Sequence, residues 1–343
     1  MPLYVNDSGT WKEVTSGNYY VKHGGAWTAV QEAYVKDAGS WKQYFQGEVG
    51  VTLANSTNVA VSSLFTSSVW TGTTPKRITI PSGVTIGGTG GTAAMTIANT
   101  MAGTLVIDNA GSVLGTGGAS NGGAGGNAIT NAASNVTINN TNLLAGGGGG
   151  GGQGGAGGSG EVNNTTAWSG REPAANWTNG SAQLGYYWNV NTYHFYYDGS
   201  TSYIIWASNI GNASGFPAYI RIGSNEYHRG ISRGSGKYEI YRQAKTTTSA
   251  GTGGAGGLGQ GYNQTNSSGS VGSAGGTGAG TGGTGGAGST YAVAGVAGST
   301  GANGNSYSSG TGAAGAAGGA AGAAVSGTSV TMNNTGTIHG AVA

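Results

Sequence analysis

Glu226, Tyr227 and His228 stand next to one another, the one grouping in this chain that brings an acid, a phenol and an imidazole together. Acid–base cleavage of a glycan needs two carboxylates about 5–10 Å apart. The chain has eleven acids in all, and between Trp168 and Tyr241 they are Glu172, Asp198, Glu226 and Glu239. Asp198 precedes Gly199 and is explained as a hairpin turn. Glu239 falls within an alternating strand pattern. His23, His194, His228 and His339 are scattered without metal-ligand spacing, and there is no cysteine. No zinc-protease helix motif, phosphate loop or nucleophile elbow stands in a suitable context. The expectation is a protein that is not an enzyme, with no metal and no cofactor.

Binding chemistry is better represented. Arg171, Arg221, Arg229, Arg233, Lys237, Arg242 and Lys245 fall within 161–245, which also holds 16 of the chain's 30 aromatic residues. Arginine forks suit phosphate and carboxylate, and Tyr or Trp rings suit sugar faces. The segment Asn225–Lys237, NEYHRGISRGSGK, sets its arginines among turn-forming Gly and Ser. Tyr227, His228, Arg229 and Arg233, together with Trp206, are therefore candidate contact residues. A second set lies downstream. GYNQTN (from Gly261), STY (from Ser289) and NGNSY (from Asn303) each set one tyrosine among small polar residues. Tyr with Ser, Asn and Gly is the mixture of rigid ring and adaptable hydrogen bonding that antibody loops use. Tyr262, Asn263, Tyr291 and Tyr307 are the candidates there.

These residues need elements to hold them. Residues 1–47 contain LYVNDSGTWKEV, YYVKHGGAWTAV and AYVKDAGSWKQY, which align without gaps as Tyr-Val, a turn and a Trp. Each reads as a short β-hairpin. Residues 48–146 are rich in Val, Ile, Thr and Asn. LVIDNAGSVLG (from Leu105) and VTINNTNLLAG (from Val136) repeat there, and VTMNNTGTIHG (from Val330) repeats far downstream. The spacing predicts stacked strand–turn units, a β-solenoid or prism-like stem, with Asn109, Asn140 and Asn334 as a ladder. The third copy predicts that 325–343 completes the stem and that the chain between loops out. Within that excursion 161–249 reads as an inserted antiparallel β domain, with alternating runs such as Tyr193–Tyr197 and Lys237–Tyr241.

The rest of the excursion is glycine. AGGGGGGGQGGAGGSG opens it at Ala145, and Gly recurs every third residue at Gly151, Gly154, Gly157 and Gly160, and again at Gly295, Gly298, Gly301 and Gly304. Collagen shares the period but needs imino acids, and there are only five prolines. The period predicts a bundle of left-handed three-fold (polyglycine II) helices, with 147–160 as its first rod and 250–324 as the remainder and its tip loops. The fold class expected is mainly β with these parts.

Glycine-rich runs broken by Tyr/Ser/Asn loops resemble the distal tail-fibre adhesins of T-even-like bacteriophages, chiefly over 145–160 and 251–324. The resemblance implies a receptor-binding protein at the tail or fibre tip of a virion, made in the host cytoplasm. It implies recognition of lipopolysaccharide or an outer-membrane protein through loops carrying Tyr262, Tyr291 and Tyr307. The hairpins, stem and aromatic region depart from that pattern and suggest a base for other tail or fibre proteins; assembly as a homotrimer is favoured, as fibre stems usually assemble, with a monomer seated on another protein as the alternative. Nucleic acid is not an expected partner, because a net charge of +2 is thinly spread, with no charged residue between Asp108 and Glu161 or after Lys245. Membrane insertion is not expected either, since no long apolar run exists. The other classes these residues allow are a tail-associated polysaccharide depolymerase and a structural or ice-binding glycine-rich protein.

Overall fold

The computed structural model describes residues 47–162 and 245–343 in full, together with the strands of 4–46 and 163–244. Among the described residues the chain is mainly β, and its one α-helix has five residues (α1, Ser67–Thr71). The three Tyr-Val/Trp repeats are antiparallel pairs. Tyr4–Asp7 (β1) pairs with Thr10–Glu13 (β2), Tyr20–His23 (β3) with Ala26–Ala29 (β4), and Glu32–Asp37 (β5) with Ser40–Gln46 (β6). Each stays a two-stranded sheet of its own.

From Val49 the strands pair in parallel. Three strands make one turn of a coil, and each pairs with its counterpart a turn later. The first turn is Val49–Thr52 (β7), Ser56–Thr57 (β8) and Val59–Ala60 (β9). The second is Lys76–Ile80 (β10), Thr85–Gly87 (β11) and Met95–Ile97 (β12). The third is Leu105–Asn109 (β13), Ser112–Leu114 (β14) and Ile129–Asn131 (β15). The fourth begins with Val136–Asn140 (β16) and Leu143–Ala145 (β17). Leu105 stands beside Val136 and Ile107 beside Ile138.

The coil forms because every second residue is apolar and points inward. β10, β13 and β16 share one alternating burial pattern. Ile78, Ile80, Ile107 and Ile138 are wholly buried, each worth about 1.5–3 kcal/mol against exposure. Four polar residues share the interior, Lys76, Asn109, Asn131 and Asn140. Lys76 is also wholly buried, and its ammonium donates to the carbonyls of Gly72 (3.1 Å), Thr74 (2.9 Å) and Ala102 (2.6 Å). Asn109 donates to Asn140 (2.7 Å), and Asn140 donates to Asn334 (2.7 Å). An outer row runs beside it: Arg77 bonds Glu48 and Asp108, Asn139 donates to Asp108, and Asn333 donates to Asn139.

The fourth turn is interrupted. After β17 the chain leaves at Gly146 and runs outward to 159. It then enters antiparallel sheets. Gly160–Asn163 (β18) lies at the edge of one; Tyr186–Asn189 (β19), Thr192–Tyr196 (β20) and Tyr203–Ser208 (β21) form another. Tyr219–Ile222 (β22), Asn225–Gly234 (β23) and Lys237–Thr248 (β24) complete the first, in the order β18-β24-β23-β22. The Asp198-Gly199 turn lies outside the described residues. From 249 to 323 the chain passes back and forth in extended segments. It rejoins the coil as Val325–Gly327 (β25), which pairs with β15 as the missing third strand. Thr331–Asn334 (β26) and Thr337–His339 (β27) pair with β16 and β17 as the next turn.

The extended glycine segments are joined by backbone hydrogen bonds that recur every third residue. Gly148, Gly151, Gly154 and Gly157 donate to Gln260, Gly257, Gly254 and Gly251; Gly149, Gly152, Gly155 and Gly158 donate to Val293, Val296, Ser299 and Ala302. Segment 146–152 has neighbours all round. It bonds to 115–119, 123–127, 251–260, 279–289, 293–304 and 310–323, and each of these also bonds to the next around the ring. Sequence reasoning left 115–127 in the stem; the structure makes it an out-and-back pair that closes this ring.

Candidate functional site

The back-and-forth path gives the glycine-rich region two ends. The near end rests on the coil and the far end meets β18 and β24. Every turn reverses direction, so successive turns alternate between the ends. This separates the three tyrosine turns that the sequence grouped as one tip.

Two of them are at the near end. Gly261 and Gln264 exchange backbone hydrogen bonds across Tyr262 and Asn263, and Tyr262 N–H donates to Gly115 (3.0 Å). The Tyr262 ring lies against Gly87 of β11, so close that a Cβ there would sit 2.2 Å from the ring. Tyr291 stacks on His339 of β27, with ring centroids 6.0 Å apart. Burial raises the Tyr291 pKa, against a smaller opposing effect of its hydrogen bond with Gln260. Both tyrosines are half-buried.

Tyr307 is at the far end and is 80% exposed. Its turn is fastened to the first strand of the aromatic region. Glu161 N–H donates to Asn305 Oδ1 (2.6 Å), Asn305 Nδ2 donates to the Glu161 carbonyl (3.1 Å), and Ser306 Oγ donates to the Glu161 carboxylate (2.9 Å). The neighbouring far turn is tied in the same way, Thr248 Oγ1 donating to the Thr277 carbonyl (2.8 Å). Ser306 is buried by these contacts. They hold the Tyr307 turn and the β18–β24 sheet edge together.

Tyr227, His228, Arg229 and Arg233 all fall on β23, and Trp206 on β21 of the other sheet. The arginines set among turn-forming Gly and Ser in Asn225–Lys237 lie on strand. Ten residues of that segment form a strand, with Tyr227 beside Arg242, His228 beside Tyr241 and Arg229 beside Ile240. Alternation of Tyr227, Arg229 and Ile231 outweighs the glycines, which fall where the register shifts between Arg229, Ser232 and Gly234. The side chains of these candidates lie outside the described residues.

Among the described residues no group of three His, Asp or Glu side chains is placed to hold a metal ion, and no helix is long and apolar enough to cross a membrane. On the coil exterior the Arg77 guanidinium donates hydrogen bonds to Glu48 and then Asp108, which hold it still more firmly protonated.

Residues 48–216 match the family model of the phage tail fibre adhesin Gp38. Over that stretch the chain resembles a phage tail fibre adhesin. The Gp38-like stretch begins at the salt-bridged Glu48, after the hairpins. It takes in the coil through β17 and the central glycine segment, and ends within the aromatic region. The sequence reading placed the resemblance on 145–160 and 251–324; the match contains the first of these and not the second. One solved structure is similar, the crystal structure of the gp37-gp38 adhesin tip complex of the bacteriophage S16 long tail fiber. It shares 17% identity, covers 88% of this chain and 84% of that chain, and has a TM-score of 0.36. No curated protein matches.

Proposed function

We propose that this chain is a non-catalytic receptor-binding adhesin whose far end meets the bacterial surface, either lipopolysaccharide or an outer-membrane protein. The observation that carries the reading is the clamp between Asn305, Ser306 and Glu161. It makes the exposed Tyr307 turn and the aromatic sheet one composite surface at the end of a stiff arm. The glycine segments are read as polyglycine II helices, since their hydrogen bonds recur every third residue. In that geometry 146–159 reaches about 40 Å from the coil. Tyr227, His228, Arg229, Arg233 and Trp206 belong to the same far region and supply cationic and aromatic contacts to a sugar- and phosphate-rich surface. Tyr262, Asn263 and Tyr291, at the near end, fall outside this contact.

The hairpins of 1–47 are assigned to attachment on other tail or fibre proteins, placing the adhesin at the tail tip. Trp41, 68% exposed, offers the kind of large ring that anchors interfaces. One chain buries the coil interior by itself, which supports a single copy seated on a fibre partner over the homotrimer expected from the sequence. Adsorption of the purified chain to host cells tests the contact. Tyr307→Ala should lower the bound fraction at least tenfold, while strains lacking outer lipopolysaccharide sugars or single porins identify the receptor. Unchanged adsorption of Tyr307→Ala would remove the far turn from the contact, and release of glycan fragments from host polysaccharide would overturn the non-catalytic reading.

A further inference from the structure

At the near end, between the outer face of the coil and the turns that rest on it, lies a cavity of about 340 Å³ lined by Asn55, Thr85, Leu114, Tyr262, Asn263 and Tyr291. We propose that this cavity is a binding site for a neutral sugar ring, separate from the far-end contact. Its volume falls within the range of small-ligand pockets and suits one or two pyranose rings. No lining side chain carries a charge, so a phosphate or carboxylate would find no counter-ion there. Neutral hydroxyls need what the cavity has: ring faces for the C–H surface and carboxamides for the O–H groups.

Both rings are held before any ligand arrives. Tyr262 is seated against Gly87, and Tyr291 is stacked on His339. A rigid ring loses little freedom on binding, which favours weak polar ligands. The polar groups are equally suggestive. Asn55 Oδ1 accepts from Thr85 N–H (2.7 Å), which fixes the carboxamide and leaves its NH₂ for a ligand. Asn263 occupies the third position of the Gly261–Gln264 turn with φ of 52°, a place that Gly or Asn takes. Asn58, Asn121 and Asn135 share that left-handed backbone; Asn58 and Asn121 spend their carboxamides inside the protein, on Thr89 and on Gly256 N–H, while Asn135 makes no side-chain hydrogen bond to a described residue. The Asn263 carboxamide makes no hydrogen bond to a described residue, and its residue is exposed at the cavity rim. The Asn263 carboxamide therefore offers the cavity a donor and an acceptor.

Saturation-transfer NMR on the full chain tests the proposal with the methyl glycosides of glucose, galactose, mannose and N-acetylglucosamine. At least one should bind at millimolar concentration, and glucose 6-phosphate should bind no more tightly than glucose. Asn263→Gly keeps the turn and removes the carboxamide. It should weaken the bound glycoside about tenfold, the value of one hydrogen-bonding group, with thermal stability unchanged. Tyr307→Ala should leave glycoside binding as it is, even where it lowers cell adsorption. Failure of all four glycosides, equal affinity in Asn263→Gly, or loss of glycoside binding in Tyr307→Ala would each overturn the proposal.

Discussion

The seven consecutive glycines Gly146–Gly152 mark the length over which one backbone is blocked in all three directions that its side chains would take. A Cβ on Gly147 or Gly150 would meet segment 115–119, one on Gly148 or Gly151 would meet 279–289, and one on Gly149 or Gly152 would meet 310–323. Segment 115–119 turns back just beyond Gly150. Side chains then reappear on the row that had faced it, at Gln153, Ala156 and Ser159, while Gly154, Gly155, Gly157 and Gly158 persist on the other two rows. Gly150→Ala would put a methyl 1.8 Å from the Ala119 carbonyl. It should cost about 3 kcal/mol or more, while Gln153→Ala should shift the melting temperature little; thermal unfolding of the two variants checks this. Lys76 gives a pH signature. Burial lowers its pKa, so between that value and the ordinary lysine value the unfolded chain holds a proton that the folded chain lacks. Stability should therefore rise with pH across that window. Tyr291 titrates in the same region with its pKa raised, and acts in the opposite sense. The difference between wild type and Lys76→Met isolates the lysine: stability of the wild type should gain on the variant as pH rises through the window.

Among the elements, the coil depends on its asparagine row as well as its aliphatic core. Asn140 is the middle member, buried, bonded to Asn109 on one side and Asn334 on the other. Asn140→Ala removes both bonds and leaves a void, for a cost of about 3 kcal/mol. Asn334, at the exposed end, has fewer partners to lose, and Asn334→Ala should cost under about 1 kcal/mol. Urea unfolding of the two variants reads the difference, and equal costs would show that the row does not act through its middle. The row stops at Asn109 because the preceding turn has Ile80 at the matching place; Asn109 Oδ1 there is the one buried side-chain oxygen without a partner among the described residues.

At the scale of the whole molecule, two solids of different kinds share one chain. The coil is held by buried aliphatic side chains, with Ile78, Ile86, Ile97 and Ile138 at zero exposure in a single copy. The glycine-rich region is held by backbone hydrogen bonds with almost no side chains between them. Because one copy closes both, light scattering of the purified chain should give the mass of a monomer. A trimer mass would return the stem to the three-chain assembly expected from sequence. The glycine-rich region should also resist protease once folded, since its N–H and C=O groups are engaged on neighbours rather than on water; limited proteolysis that cuts first within 251–323 would count against that packing.

How much of this was legible in the sequence differs between the two solids. Period-two alternation gave the strands of the coil, and the apolar–Asn–Asn repeat pointed to Thr137 meeting Thr331 across 194 residues. Both are patterns of side chains, and side chains are what a sequence records. The glycine period marked the extended segments but not their neighbours, because a segment without side chains carries no mark of what it faces. Segment 115–127 was missed for that reason: its few glycines read as a loop until the ring around 146–152 showed what they border. The tyrosine turns were found by composition, yet their ends were assigned only by the path, since each reversal sends the next turn to the opposite end. Sequence by itself determined the alternating strands of the coil and the glycine-period segments of 146–160 and 251–323, but not 115–127. Tertiary structure alone decided that Tyr262 and Tyr291 rest on the coil while Tyr307 stands at the far end, because that outcome depends on counting reversals through a bundle whose contacts are made by backbone.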